Sequence, residues 1–222
     1  MTSPTHAAPP DRPDSDELVL TWLQDVAALT LGSSEWEGIA SQRLVDVRTG
    51  DVPRWPTTVK LVGTSHGLWI RFACAAGTIR ATLTQYKDKV WQEDAVEVYL
   101  QPPGALPMYE FQLSPIGTYR DLRVVRPSSA GRSFDDTWSC AGLATTAVVD
   151  RDDRRKLKGW RAMFGIPWRG IASAGQAETG WRIALFRIER DPLEYSGLRS
   201  YPIPDLDLHD DRFLTRLVFP SL

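Results

Sequence analysis

The chain of 222 residues contains no Asn, only two Cys, three His and five Lys. Each shortage removes a class of explanation. Without Asn there is no N-glycosylation acceptor and no Asn-Gly hairpin turn. Two thiols, Cys74 and Cys140, cannot build a disulfide framework or a Cys-rich metal centre. Cys74 lies in an apolar alternation and reads as a buried free thiol. Of the three His, His6 falls in a Pro-rich opening and His66 in a Ser65-His66-Gly67 turn. His209 is the remaining candidate, so neither a Ser-His-Asp triad nor a multi-His metal site is supported. There is no Gly-rich phosphate loop, dinucleotide fingerprint, Gly-x-Ser-x-Gly elbow or His-Glu-x-x-His pattern. No apolar run approaches the ~18 residues that span a bilayer. Twenty-six basic and 28 acidic residues leave a net charge of −2, not the basic excess of a nucleic-acid binder. Neither a membrane nor nucleic acid is an expected partner. Residues 1–16 carry Pro4, Pro9, Pro10 and Pro13 and lack the apolar stretch of an export signal. They read as a disordered tail before a single domain over 17–222, and the protein reads as cytoplasmic.

Tryptophan, by contrast, is abundant, with nine residues, and the body of the chain alternates with a period of two. Leu68, Ile70, Phe72 and Cys74 oppose Trp69, Arg71 and Ala73. Val96, Val98 and Leu100 oppose Ala95, Glu97 and Tyr99. Tyr109, Phe111 and Leu113 oppose Glu110, Gln112 and Ser114. Trp160, Ala162, Phe164 and Ile166 oppose Arg161 and Met163, and Trp181, Ile183 and Leu185 oppose Arg182, Ala184 and Phe186. Period two is the signature of half-buried strands. Further strands are expected over 57–63, 118–125, 141–150 and 213–219, and one helical turn over 168–172. Residues 18–29 suit either a short helix or a strand. Pro102-Pro103-Gly104 and Pro115-Ile116-Gly117 punctuate the pattern as turns. Many short strands without a βαβ rhythm predict an all-β antiparallel sandwich with little helix. Trp69, Trp160 and Trp181 read as sheet or core residues, and Trp55, between Arg54 and Pro56, as exposed.

Chemistry can be sought in the acids. Glu93, Asp94 and Glu97 share one segment, with Glu110 across a turn. Two carboxylates 5–10 Å apart suit acid–base work on a sugar. The commonplace reading is that such residues line the wet face of a strand.

At Trp91-Gln92-Glu93-Asp94-Ala95-Val96-Glu97 the sequence resembles the family 9 carbohydrate-binding modules and their DOMON-like relatives. Three later segments extend the resemblance in order. They are Tyr109-Glu110-Phe111 to Pro115-Ile116-Gly117, Trp160-Arg161-Ala162 to Ile166-Pro167, and Trp181 to Arg187 followed by His209 to Phe219. Together they cover roughly residues 40–222. The resemblance implies a jelly-roll-like β-sandwich that holds a sugar between aromatic rings, with polar groups on its hydroxyls. Trp91 matches the first stacking ring and Glu97 a hydroxyl-binding acid. Glu110 and Gln112 would face Glu97 across the sheet, and Arg187 would neutralise one of the acids. Tyr86, and with it Tyr119, Arg120 and Asp121, would extend the rim. The family's second Trp and its nearby Asn have no counterpart in Leu206 to Phe213. There His209 or Phe213 is the available stand-in, against core packing for Phe213 and a turn hydrogen bond for His209. The family also suggests a structural calcium ion. Asp205, Asp207, Asp210 and Asp211 form an acidic loop of suitable chemistry, or a plain solvated turn.

Three functions remain open. The first is a non-catalytic sugar-binding domain centred on Trp91 and Glu97. The second is an enzyme on the same pocket acting on a small molecule, with Glu97, Glu110 and His209 as acid–base groups. The third is an interaction domain in which the pocket no longer serves.

Overall fold

A computed structural model describes residues 17–104, 107–125, 131–171, 180–202 and 204–220. The expected tail over 1–16 lies outside the described residues. The strands are β1 (Glu17–Val19), β2 (Thr21–Trp22), β3 (Gln42–Arg43), β4 (Val45–Asp46), β5 (Thr57–Gly63), β6 (Gly67–Ala75), β7 (Ala95–Gln101), β8 (Met108–Leu113), β9 (Tyr119–Val125), β10 (Ser133–Asp135), β11 (Ala144–Arg151), β12 (Leu157–Pro167), β13 (Arg182–Arg190), β14 (Leu193–Gly197) and β15 (Thr215–Val218). One helical turn, α1 (Trp168–Ile171), follows β12, as the sequence suggests.

Two sheets form an all-β sandwich. The first runs β1-β15-β13-β7-β8-β9-β10, with β14 also on β13 and β4 beyond it. The second runs β11-β12-β6-β5-β2, with β3 also on β5. The long neighbours are antiparallel, as expected. The N-terminal segment departs from that rule and resolves the helix-or-strand question at 18–22. β1 runs parallel to β15 in one sheet, and β2 runs parallel to β5 in the other. This segment crosses from sheet to sheet at the sandwich edge. It does so because Leu18 and Leu20 alternate inward and bury in the common core. The Leu20 amide still finds Val218 O at 2.8 Å, and the Leu23 amide finds Gly63 O at 2.9 Å.

The alternation read from sequence decides what lies between the sheets. Val96, Val98, Leu100, Phe111, Leu113, Ile183 and Leu185 of the first sheet meet Ile70, Phe72, Trp160, Phe164 and Ile166 of the second. Phe72 and Phe164 meet edge to face, with centroids 6.2 Å apart. Trp160 and Trp181 are fully buried. Cys74 and Cys140 are both free and buried, and burial pushes their thiols up to about 11 and about 12. Trp55 is half-buried rather than exposed, because its ring lies where a Cβ on Gly77 would sit.

Each sheet also has an outer face, and each is covered by a segment outside the strands; the strand expected over 213–219 begins at Thr215, which leaves Phe213 in a 3-10 turn of that cover. Leu29, Leu31, Trp36 and Ile39 lie on Val62, Trp69 and Met163 of the second sheet. Phe213 and Leu214, with Tyr201, Leu206 and Leu208, lie on Tyr99, Met108, Leu122, Ala184 and Phe186 of the first. No helix among the described residues is long and apolar enough to cross a membrane.

Candidate functional site

The register of the first sheet assembles the site. β13, β7, β8 and β9 place Phe186, Glu97, Gln112 and Arg120 in one row. Ala184, Tyr99, Glu110 and Leu122 form the next. These residues alternate with the core-facing Val96, Val98 and Phe111, so they all project from the outer face.

There the two acids meet through an amide. Gln112 Nε2 donates to Glu97 Oε1 at 3.0 Å and also to Glu110 Oε1. Tyr99 OH donates to Glu97 Oε2 at 3.0 Å. His209 comes from the covering loop, stacks on Tyr99 with centroids 4.7 Å apart, and places Nε2 2.8 Å from Glu110 Oε2. Its Nδ1 lies 3.3 Å from Asp207 Oδ1. Asp207 also accepts the His209 amide at 3.0 Å and a bond from Arg132 Nη1 at 2.6 Å. The imidazole therefore sits between two carboxylates, each held by other donors. Arg120 grips Asp136 through Nε and Nη2, at 3.1 and 2.6 Å.

Burial makes this cluster chemically unusual. Glu97, Glu110 and Gln112 are each no more than 2% exposed. Desolvation first, and then the charge of Glu110, push Glu97 up to about 8. The Tyr99 hydroxyl and the positive charges of Arg190 and Arg120 act against that shift. The protonated form of Glu97 is thereby favoured around neutral pH. The Tyr99 phenol is raised well above its ordinary value by the same burial and the same two acids. Gln112 Oε1 is buried with no hydrogen-bond partner among the described residues.

Trp91 lies in a 3-10 turn (Val90–Gln92) just before β7. It is 38% exposed. Its carbonyl accepts from Arg190 Nη2, and Arg190 ends β13 on the outward parity shared with Phe186. The turn is held by the acids that follow it. Glu93 accepts from the Thr82 and Leu83 amides and the Thr82 hydroxyl, and Asp94 from the Arg80 and Arg190 amides. Glu93 and Asp94 therefore anchor a loop rather than face the acid pair.

Glu97, Glu110, Gln112 and His209 are thus brought together, and Trp91 stands in the turn that leads into β7. Other candidates fall elsewhere. Arg187 has core-facing parity and lies between the sheets. It donates to Trp55 O, Thr57 Oγ1 and Ala75 O at 2.9, 3.2 and 2.7 Å and pairs with Glu189, so it neutralises neither site acid. Tyr86 is on the opposite side of β9. Its hydroxyl is 2.8 Å from Asp121 Oδ1, and its ring packs on Tyr119. Of that expected rim, Arg120 alone reaches the outer face. Phe213 is 1% exposed and packs on Phe186 and Tyr201, which is the core role weighed for it.

The acidic loop does not present a cation cage. Among the described residues no group of three His, Cys, Asp or Glu gathers as for a metal. Asp207 is spent on Arg132 and His209, while Asp205 is exposed. Asp210 caps the following 3-10 turn through the Arg212 amide, and Arg212's guanidinium holds its carboxyl down at about 2. Tyr99, Arg190 and Arg132 were missed from sequence. The parity of Tyr99 with Glu97 was the available signal for the first. Nothing local pointed to the other two.

No family model matches the sequence, and no curated protein matches it either. Solved structures do. A candidate carbohydrate-binding protein from Bacteroides uniformis aligns with a TM-score of 0.72 at 14% identity, covering 92% of this chain and 99% of the other. A family 9 carbohydrate-binding module from Caldicellulosiruptor kristjanssonii in complex with cellotriose aligns at 0.60 and 10% identity, covering 92% and 95%. A family 9 module from the same organism in complex with glucose aligns at 0.56 and 10%, covering 92% and 97%. The sandwich described above is therefore similar across nearly its whole length to a fold on which sugars have been seen bound, and the chain has a family 9 carbohydrate-binding-module-like fold.

Proposed function

We propose that this chain is a non-catalytic carbohydrate-binding domain whose site is the outer face of the first sheet. The observation that carries the reading is the partly exposed ring of Trp91 in the turn that leads into β7, the strand that carries Glu97 of the Glu97–Gln112–Glu110 bridge. Sugar hydroxyls need closely spaced donors and acceptors, and the C–H face of a pyranose stacks on an indole. The bridge supplies carboxylate acceptors, its amide hydrogens being spent on Glu97 and Glu110, and Gln112 Oε1 is a further acceptor with no donor among the described residues. Trp91 supplies the apolar platform, and Arg190, bonded to the Trp91 carbonyl, supplies charge at the margin. The glucose and cellotriose complexes of similarly folded modules support a sugar as the ligand class. Calorimetric titration with glucose and a short cello-oligosaccharide tests this. Saturable binding that is lost in Trp91→Ala and weakened in Glu97→Gln is the expected result. Binding that survives Trp91→Ala unchanged, or none across mono- and disaccharides, overturns it.

A second reading rests on the Asp207–His209–Glu110 relay. An imidazole between two carboxylates, next to a Glu97 pushed up to about 8, has the elements of a general acid–base site. It predicts turnover of a bound small molecule with a pH profile that His209→Gln abolishes. Binding without turnover leaves the first reading in place.

A further inference from the structure

The outer face of the second sheet, opposite the acid pair's face, holds a cleft of about 560 Å³. It arises from a run of small residues. The register row Val62–Trp69–Gly165–Ala144 crosses β5, β6, β12 and β11. After Trp69 that row carries almost no side chain. Gly165 lets the indole of Trp69 lie against β12, since a Cβ there would run into the ring. Gly67, Gly142, Ala27 and Ala28 keep the other walls equally low.

The groups that do line the cleft are of two kinds. Trp69 and Trp168 offer indoles, and Ser65, His66 and Arg169 stand with them. Trp168 Nε1 is satisfied, donating to Thr64 O at 2.8 Å. Trp69 Nε1 is buried and has no acceptor among the described residues. Of the indoles left in that state, which include Trp55, Trp160 and Trp181, Trp69 is the one that lines the cleft. Arg169 and His66 are exposed, and neither side chain has a hydrogen bond or ion pair among the described residues. A concave space of a few hundred Å³ with aromatic walls and few polar groups is the usual form of a small-ligand site. Here the charged group is the Arg169 guanidinium, with Ser65 and His66 beside it.

We infer that this cleft is a second binding site, separate from the acid pair, for a small ring compound that carries a carboxylate. The ring lies on the Trp69 wall, and the carboxylate pairs with Arg169 at the rim. Either a hydroxylated ring or an aromatic ring satisfies this chemistry, and the two are separated by the choice of probe.

The test is calorimetric titration of the full chain with sodium glucuronate and, separately, sodium benzoate, at low ionic strength and millimolar concentration. Saturable binding of either probe is expected, and which probe binds identifies the ring. Arg169→Gln, at an exposed position, should weaken binding roughly tenfold, the loss expected of one charge-assisted hydrogen bond at a rim. Ala28→Phe, which fills the mouth, should abolish it, and Trp91→Ala should leave it unchanged. No saturable heat with either probe overturns the inference. Equal affinity in Arg169→Gln, or loss of binding in Trp91→Ala, also overturns it, the latter by moving the probe to the other sheet. Failure of neutral sugars to bind at Trp91 would leave this result untouched.

Discussion

The two outer faces are covered in opposite ways. On the second sheet the segment from Leu29 to Ile39 lays apolar side chains on Val62, Trp69 and Met163. That contact is mainly burial, with one hydrogen bond from Lys60 Nζ of β5 to Trp36 O at 2.6 Å. On the first sheet the cover is mixed: Phe213 and Leu208 join an apolar cluster, while His209 lands on Tyr99 and the Glu110 carboxylate. Burying Glu97 and Glu110 together opposes folding unless protons and hydrogen bonds compensate. Tyr99, Gln112 and His209 supply those bonds. A third setting, between the sheets, holds the buried Arg187–Glu189 pair. Its guanidinium ties β13 to the carbonyls of Trp55 and Ala75. The comparison teaches that apolar cover can be explained by folding alone. The acid pair is different, since an apolar pair of similar volume would stabilise the sheet at least as well.

The sharpest way to break the contrast is at its apolar end. Trp36 is 1% exposed and covers the second sheet, so Trp36→Ala should cost about 3–5 kcal/mol in chemical denaturation, whatever the pH. Arg187→Met should cost a similar ~3–5 kcal/mol, because Glu189 is left buried without its partner. Restoring stability with a second change, Glu189→Leu, would identify the orphaned charge as the cause.

The acid pair should behave in the reverse sense. Glu97 sits near 8 in the folded chain against an ordinary 4.5. The folded state therefore holds a proton that the unfolded chain releases, and stability falls as pH rises through that window. Glu97→Gln should flatten the decline. Each unit of displacement is worth about 1.4 kcal/mol, so the variant should gain on the order of 2 kcal/mol or more at pH 8 and almost nothing at pH 4.5. Melting curves across that range check it, and an equal gain at both ends would refute a proton held on Glu97. The smallest effect belongs to the loop that delivers His209. Asp210 caps its 3-10 turn, and Asp210→Ala should cost about 1 kcal/mol. Its Tm shift should be small, while any ligand affinity that depends on His209 falls further.

Most of the sandwich was legible in the chain because a pleated strand turns its side chains over at every residue. The alternations at 68–74, 95–100, 109–114 and 160–166 named the core faces correctly, and the same parity set Glu97, Glu110 and Gln112 together on the other side. Parity also held the answer for Arg187. Its odd place alongside Ile183 and Leu185 in β13 puts it in the core, where charge alone had suggested the site. β10 and β14 were not anticipated, since three and five residues with few apolar members carry little period. What no local pattern could convey is which distant loop lands where. His209 reaches Glu110 across 99 positions, and Arg132 reaches Asp207 across 75. Those meetings, the unusual proton on Glu97 and the bare trough beside Trp69 all depend on long-range packing. Alternation decides which way a side chain points, but solvent exclusion by the rest of the fold decides what it meets and which charge it keeps.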